Sequence, residues 1–267
     1  MNYNEHQDTA VMEKKGSGAV RAGVIIIAVG LILFILGYVM YLNSDKSKYI
    51  NVKDISEGFD GSQVKDIELD IGWGNLIVEK STNGDIFIDA KDVPEGYDVG
   101  IKGDKFVIKY NEKNGINIEK LVNLMSKKDC EPTVKLMLPE KEYDRFLLNV
   151  GAGDANVSGV SCSSFTLDCG AGDVDLSDII SADRIDINGG AGDINVRNTS
   201  AGGLDIDIGA GNFDFAGTVN GNIDVDCGVG DVTFRLTNPA EDFANGGKYT
   251  LSCDKGVGSI DILYNVK

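Results

Sequence analysis

Acidic side chains recur at fixed distances from a repeated glycine motif, and they are the residues of this chain best suited to chemistry. The motif is Gly-X-Gly followed by Asp or Asn, and its first glycines are Gly151, Gly170, Gly190, Gly209 and Gly228. The residues three positions after the first glycine are Asp154, Asp173, Asp193, Asn212 and Asp231. Hard cations such as calcium take carboxylate oxygens as ligands. If the repeats stack, Asp154, Asp173 and Asp193 form one column, which predicts a calcium or other cation site.

The same three Asp residues have a structural alternative. Asp just past a glycine corner commonly hydrogen-bonds the local backbone in an Asx turn. The calcium-binding nonapeptide Gly-Gly-X-Gly-X-Asp resembles residues 189–193, but here Asp comes one position early and the period is not nine. The sequence leaves both roles open.

Two further polar columns nearly alternate Asn with Asp. Two residues before the first glycine are Asn149, Asp168, Asn188, Asp207 and Asp226, and five residues after it are Asn156, Asp175, Asn195, Asp214 and Thr233. Like charges on neighbouring strands, about 4.8 Å apart, repel by about 0.9 kcal/mol in water. Alternation doubles that separation to about 9.6 Å, beyond the physiological screening length of about 8 Å. We therefore interpret both columns as polar ladders in which Asn dilutes the charge.

Catalytic signals are sparse. His6 is the only histidine and lies in the N-terminal tail, so no His-based triad is available to the repeats. Carboxylate pairs such as Asp173 with Asp175 would suit glycoside hydrolysis, but every repeat has a similar pair, which is typical of a scaffold. We expect a non-enzymatic protein. The alternative is a carbohydrate-binding or carbohydrate-active β-helix, with Trp73 as a sugar-stacking platform rather than a packing residue.

The elements that carry these residues are strands. The first glycines recur at a nearly constant interval of about 19–20 residues, which is typical of a solenoid. Apolar residues alternate with polar ones on both sides of each glycine pair, and alternation with period two indicates β-strands. The sequence predicts an all-β, β-helix-like β-solenoid in which each repeat is strand, glycine corner, strand and a short return. Glycines at fixed places suit a positive φ or close stacking of corners.

Weaker copies of the motif flank the central block, at Gly72-Trp73-Gly74 and at Gly256-Val257-Gly258. The step from Gly228 to Gly256 is longer than the regular interval, which predicts an extra loop within 237–247. Terminal repeats of solenoids are atypical because they cover an exposed hydrophobic end. We therefore divide the β region into an irregular N-terminal part, 50–150, and regular repeats with a C-terminal cap, 151–267.

A membrane anchor is predicted before the β region. Residues 23–42 form a continuous stretch without a charge, which is long enough to cross a bilayer as one helix. A cleaved signal peptide fits less well because the apolar run is long and no Ala-X-Ala site follows it. We expect a cytoplasmic tail at 1–22, a transmembrane helix at 23–42 and a linker at 43–49. This arrangement predicts a single-pass protein of the cell membrane with an extracellular C-terminal domain, although basic residues flank the helix on both sides.

The net charge limits the kinds of partner, and the positions of the cysteines indicate their structural role. The chain has 42 Asp and Glu against 25 Lys and Arg, which disfavours nucleic acid as a partner and favours cations or basic polymers. Cys169, Cys227 and Cys253 occupy inward positions of the alternation, so we interpret them as buried core thiols. Cys130 and Cys162 lie in less regular segments. No Cys-X-X-Cys spacing indicates zinc or redox chemistry.

The tandem motif resembles a known family. Residues 167–175, Leu-Asp-Cys-Gly-Ala-Gly-Asp-Val-Asp, together with Gly72-Trp-Gly-Asn75, look like the bacterial adhesin-like β-strand-repeat domain, a family of unknown function often found behind one membrane helix. The resemblance covers about 50–267 and implies a solenoid-like domain at the cell envelope, with an adhesin-like or envelope-stress and regulatory role. For an acidic domain in that location we expect envelope proteins, wall polymers or cations as partners. It implies no reaction, no cofactor and no site residue.

Overall fold

A computed structural model describes residues 52–110 and 132–266, which form one extensive β-sheet system with a single 3₁₀ turn in the described part. Its strands are β1 Val52–Phe59, β2 Asp66–Ile71, β3 Asn75–Lys80, β4 Ile86–Pro94, β5 Tyr97–Lys102, β6 Lys105–Tyr110, β7 Thr133–Leu138, β8 Glu142–Ala152, β9 Ala155–Ser158, β10 Ser161–Ala171, β11 Val174–Ser177, β12 Ile180–Ala191, β13 Ile194–Ala210, β14 Phe213–Val219, β15 Ile223–Val229, β16 Val232–Leu236, β17 Leu251–Val257 and β18 Ile260–Leu263. The 3₁₀ turn is Ala240–Asp242. The prediction of an all-β, solenoid-like fold is confirmed.

The predicted tail 1–22, transmembrane helix 23–42 and linker 43–49 lie outside the described residues. Within residues 52–110 and 132–266, no helix has the length and apolar character needed to span a bilayer.

Each regular rung consists of a long strand, a Gly-X-Gly corner and a shorter strand, and successive rungs pair in parallel. β10 lies between β8 and β12, so that Asp168 pairs with Asn149 on one side and Asn188 on the other. β11 lies in the same way between β9 and β13. The repeat period of the sequence is therefore the strand register of the stack. β13 differs from its neighbours because it runs without a break from one rung into the next.

The weak copy at Gly72 and Gly74 is a full rung of this stack. β2 pairs in parallel with β8, which sets Ile71 beside Val150, and β3 pairs in parallel with β9. On the other side of this rung lie β6 and β7, also parallel. The antiparallel strands β5, β4 and β1 complete that end. The strands between the first two copies of the motif thus form an end cap and are not intermediate rungs.

The C-terminal copy at Gly256 and Gly258 forms the last rung among the described residues. β17 pairs with β15 and β18 with β16, both in parallel. The longer step before this rung is explained by the segment between β16 and β17, which contains the 3₁₀ turn. Phe243 of this segment is buried and packs near Tyr249 and Tyr264, with ring centroids 5.7 Å and 6.2 Å away. The extra loop predicted here exists, and its aromatic residues pack on the core.

The inward residues form continuous apolar columns. Phe146 and Phe165 stack in parallel, with ring centroids 5.0 Å apart, and neither is exposed. Cys162, Cys169, Cys227 and Cys253 are buried free thiols, and burial raises the pKa of Cys162 and Cys253 to about 12. A thiol held in its neutral form behaves as a small apolar group. The interpretation of Cys169, Cys227 and Cys253 as core residues is confirmed, while Cys130 lies outside the described residues.

Candidate functional site

The glycine corners are stacked directly on one another, and the two glycines of each corner are needed for different reasons. The first glycine has ordinary backbone angles, but a Cβ on Gly209 would lie only 2.6 Å from the carbonyl oxygen of Gly190. The second glycine has a positive φ, which is +136° at Gly172, and a Cβ there would overlap the carbonyl of Gly153. Both sequence-based expectations, positive φ and close stacking, are therefore confirmed, and only the second glycine shows both.

A ladder of side chains follows each corner and ties one rung to the next. We define the corner ladder as Asn75, Asp154, Asp173, Asp193, Asn212, Asp231 and Ser259. The Oδ1 atom of Asp154 accepts the backbone N–H of Asp173 at 3.0 Å, and Oδ1 of Asp173 accepts that of Asp193 at 2.9 Å. The same bond recurs from Asn75 to Asp231, with the lengths between 2.8 Å and 3.3 Å.

Asp154, Asp173 and Asp193 lie in one column, as predicted. Among the described residues, their carboxylates do not accept a hydrogen bond from the local backbone, as they would in an Asx turn. Each carboxylate bonds to the backbone of the following rung. One oxygen of each carboxylate is therefore used in cohesion between rungs. Among residues 52–110 and 132–266, no group of three or more His, Cys, Asp or Glu side chains is arranged to hold a metal ion. Calcium at Asp154, Asp173 and Asp193 stays a prediction.

The two roles of this column are separable by substitution. Asp173→Ala removes the acceptor for the Asp193 N–H and is expected to lower the free energy of unfolding by about 1–2 kcal/mol. Asp173→Asn keeps an Oδ1 acceptor and is expected to unfold within about 0.5 kcal/mol of wild type, because only the charge is lost. A cation site would further require that millimolar calcium raise the melting temperature of wild type but not of Asp173→Asn. Melting that is unchanged by calcium and by EDTA would contradict the cation prediction.

The polar column two residues before the first glycine is longer than the sequence indicated. Strand register adds Asp70 at one end and Asp254 at the other. Within the first part the predicted dilution is confirmed, because Asn188 separates Asp168 from Asp207 and its amide donates to Asp168 Oδ1 at 2.8 Å. In the last three rungs, Asp207, Asp226 and Asp254 are direct neighbours. Charge dilution is therefore absent at the C-terminal end of this column.

A second carboxylate column lies beside the first and was missed by the sequence analysis. Four residues before the first glycine, Asp186, Asp205 and Asp224 are direct neighbours in successive rungs. Together with Asp207, Asp226 and Asp254 they form what we call the acidic face, on β12, β13, β15 and β17. The signal was present in the sequence as a fixed offset from Gly190, Gly209 and Gly228.

Few cations neutralise the acidic face. The guanidinium of Arg184 pairs with Asp186 and, at 2.9 Å, with Asp205. In the part of the chain that the structure describes, no Lys or Arg forms an ion pair with Asp207, Asp224, Asp226 or Asp254. The column five residues after the first glycine differs, because Arg197 approaches Asp175 and Arg235 pairs with Asp214 at 2.9 Å. The carboxylates of the acidic face are therefore less neutralised by described Lys and Arg residues than those of the column five residues after the first glycine.

Partial burial, followed by the charges of Asp207, Asp254 and Asp224, raises the pKa of Asp226. A carboxyl whose pKa is higher in the folded state than in the unfolded state favours folding when protonated. We therefore expect Asp226→Asn to raise the free energy of unfolding at pH 7 by about 0.5 kcal/mol, since repulsion between neighbouring strands is relieved. The gain should shrink as pH falls through the raised pKa of Asp226 and vanish below the unfolded value. Urea unfolding at pH 7 and pH 3.5 measures it, and a gain independent of pH would contradict this account.

A shallow open groove runs along the first-glycine column. Its volume is about 500 Å³, its floor is made by Gly72, Gly151, Gly170, Gly190 and Gly209, and its rim is the polar column from Asp70 to Asp207. Trp73, half-buried, follows Gly72 at one end. The groove therefore combines a floor that is mostly glycine, with Val150 and Cys169 also in its lining, and alternating carboxylate and amide groups.

The family follows from the sequence of these rungs. Residues 64–256 match the family described as Toastrack DUF4097. The chain belongs to this Toastrack family. The resemblance inferred from the Gly-X-Gly repeats is thereby confirmed, over a range slightly shorter than 50–267. No curated protein matches the chain.

The solved structures that match the chain have low sequence identity to it. A candidate cell adhesion protein from Clostridium sporogenes is 14% identical, with a TM-score of 0.41, over 79% of this chain and 100% of that one. A candidate adhesin from Bacteroides fragilis is 16% identical, with a TM-score of 0.37, over 81% of this chain and 100% of that one. A candidate lipid-binding protein from Parabacteroides distasonis is 13% identical, with a TM-score of 0.35, over 82% and 97%. At these TM-scores the likenesses carry no argument about function.

Proposed function

We propose that this Toastrack protein is a non-enzymatic, membrane-anchored protein of the cell envelope whose acidic face binds cationic partners. The observation that carries the proposal is the concentration of carboxylates on β12, β13, β15 and β17, where Asp207, Asp224, Asp226 and Asp254 lack ion pairs with any described Lys or Arg. The glycine corners hold these strands in register, so the charges keep a fixed spacing.

The spacing favours an extended basic segment as the partner. Outward residues two apart on one strand lie about 6.8 Å apart, and rungs lie about 4.8 Å apart. A basic peptide in extended conformation carries side chains on one face at the same interval of about 6.8 Å. All six carboxylates of the acidic face have neighbours within the screening length of about 8 Å, so their potentials add. Basic stretches of envelope proteins and cationic wall polymers have this chemistry.

Anchoring supports the proposal from the sequence side. The predicted transmembrane helix at 23–42 ends shortly before Val52, where β1 begins. Such a short linker would keep the domain close to the membrane, with its partners in the envelope. Extraction of membranes with alkaline carbonate, followed by external protease treatment of intact cells, tests both the anchor and the orientation. Release by carbonate, or protection of the domain from protease, would contradict them.

Binding to the acidic face is testable with the full chain in nanodiscs of zwitterionic lipid. The probe is a short fluorescent peptide that alternates Lys with Ser. The triple variant Asp224→Asn, Asp226→Asn, Asp254→Asn should weaken binding about tenfold, because three exposed charge pairs at about 0.5 kcal/mol each sum to about 1.5 kcal/mol.

The matched control is Asp175→Asn, Asp214→Asn, Asp261→Asn, which removes three charges from the column on the shorter strands. Its net charge equals that of the first triple variant, so equal losses would indicate attraction to the whole molecule and contradict a specific face. No binding of the peptide by wild type would also contradict the proposal.

Carbohydrate binding is the second candidate, and the groove favours it. Alternating Asp and Asn side chains along a glycine floor offer hydrogen bonds to hydroxyl groups, and Trp73 offers a stacking face at one end. Soluble peptidoglycan fragments titrated into the same nanodiscs test this candidate. Binding that is lost on Trp73→Ala but retained in the acidic-face variant would assign the glycan to the groove.

A further inference from the structure

In the part of the chain that the structure describes, the stack has free strand edges at both ends. Counting only residues 52–110 and 132–266, β17 pairs with β15 alone and β18 with β16 alone. At the opposite end, β1 pairs with β4 alone and β5 with β6 alone. A free edge is a template on which a second chain adds strands. Such unwanted pairing is especially favourable in a solenoid, because the exposed edge of a rung has the shape and register to pair with another rung.

Ser259 ends the corner ladder. In the rungs before it, an Asp or Asn oxygen accepts the backbone N–H of the next rung, as Asp231 does for Ser259 at 2.8 Å. The hydroxyl of Ser259 donates back to the same Oδ1 of Asp231, also at 2.8 Å. The last rung therefore offers neither a carboxylate nor an amide oxygen at the place where a further rung would need one.

Lys255 interrupts an inward column at the same edge. Strand register places it beyond Val150, Cys169, Gly189, Ile208 and Cys227. Unlike Cys227, which is buried, Lys255 is exposed because nothing described lies beyond it. A rung added on β17 would enclose its ammonium group among apolar residues, and an unpaired buried charge is strongly unfavourable. Lys255 thus opposes addition to this edge.

The N-terminal edge has comparable features. The pairing of β1 with β4 is broken by a bulge between Lys53 and Ile55. Glu57 stands opposite the buried Ile88, so a charge occupies a core-facing register on this outer strand. Bulges and inward-facing charges are devices by which natural edge strands avoid pairing with other chains.

We propose that residues on the edge strands at the two ends prevent copies of this chain from joining end to end. Ser259 and Lys255 have this role at the C-terminal rung. The protein then remains a single stack, and its partners bind the sides. This inference is independent of the acidic face, because none of its residues belongs to that face.

The test compares the mass of the full chain in detergent micelles for wild type and for Lys255→Ile combined with Ser259→Asn. Wild type should sediment as one chain per micelle. In the double variant the apolar column and the ladder acceptor both reach the edge, so its protein mass should double as concentration rises. Lys65→Ile is the matched control, because it removes the same charge and adds the same apolar group away from β17 and β18.

Each outcome decides the proposal. A double variant that stays single, or a Lys65→Ile variant that associates equally, would overturn it. Association of the chain without the double substitution would overturn it as well, if cross-linking from a Val257→Cys variant showed that the contact is made through β17. Both substituted positions are exposed, so circular dichroism should report a native sheet; if it does not, Lys255→Ile alone is measured against the same control.

Discussion

Gly172→Ala is expected to lower the free energy of unfolding by about 4 kcal/mol, one of the two largest effects we predict for a single substitution. Gly172 has a φ of +136°, which side chains rarely adopt, and a Cβ at this position would overlap the backbone of Gly153. The obstacle is a backbone carbonyl held by the sheet, so no flexible side chain can move aside. Urea unfolding followed by circular dichroism in the β-sheet region measures the loss.

Substitutions at three other glycines separate the effect of the positive φ from the effect of the overlap with a neighbouring carbonyl. Gly170→Ala keeps an ordinary φ but meets the carbonyl of Gly151, and should lose about 2–3 kcal/mol from overlap alone. Gly103→Ala has a φ of +69° with open space around it, and should lose about 1 kcal/mol from backbone strain alone. Gly72→Ala has neither problem and should unfold within about 0.5 kcal/mol of wild type.

The order of these four losses is the decisive result. If Gly172→Ala lost no more than Gly103→Ala, the stack would have relaxed around the new methyl group. The corners would then be compliant, and the fixed spacing of the acidic face would lose its explanation.

The regular rungs were predictable because their pairing is encoded in local sequence. Each rung repeats one alternation of apolar and polar residues around a glycine pair, and only one register aligns all apolar residues at once. Asp168 accordingly pairs with both Asn149 and Asn188, as the repeat spacing requires. The buried positions of Cys169 and Cys227 follow from the same alternation.

The position of the first rung was not predictable in the same way. The side chain of Asn75 accepts a hydrogen bond from the backbone of Asp154, which is distant in sequence, so the rung at Gly72 stacks directly on the rung at Gly151. Alternation indicates that a segment is a strand, but it does not say which distant strand will pair with it. The end cap formed by β4 to β7 depends on a distant antiparallel pairing of β4 with β7 and on a local antiparallel hairpin of β5 with β6, neither of which has a counterpart in the repeats.

The candidate site was predicted only in part, because the sequence indicates which residues share a column but not which groups they contact in the next rung. The sequence placed Asp154, Asp173 and Asp193 in one column and left open a local turn or a cation site, whereas their carboxylates accept hydrogen bonds from the next rung. It also treated Asp207 and Asp226 as part of an alternating column. Asp254 lies two residues before Gly256, the same offset as Asp226 from Gly228, but the sequence comparison stopped at the five regular copies. Strand register places Asp254 directly beside Asp226 and so extends the column into the C-terminal copy.

Phe165→Ala is the second substitution with a large expected effect, a loss of about 4 kcal/mol in the free energy of unfolding. Phe165 is fully buried, and its ring stacks on Phe146 with an interplanar angle of 4°. β10 is paired on both sides, by β8 and β12, so the cavity would be enclosed and the neighbouring rungs have little freedom to collapse into it. Phe165→Leu keeps most of the volume and should lose about 1.5 kcal/mol.

The shape of the unfolding curve carries as much information as its midpoint. In a stack, stability is a sum of rung terms and contacts between neighbouring rungs, so a weakened junction can let the two sides unfold separately. The stacked pair Phe146 and Phe165 lies at the junction of β8 with β10. The corner ladder also crosses this junction, through the bond from Asp173 to Asp154, and we therefore expect Phe165→Ala to keep a single transition. Two transitions in circular dichroism, with Ile180→Ala as an exposed control that shows one, would mean that ring stacking and not the ladder couples the rungs on the two sides of this junction.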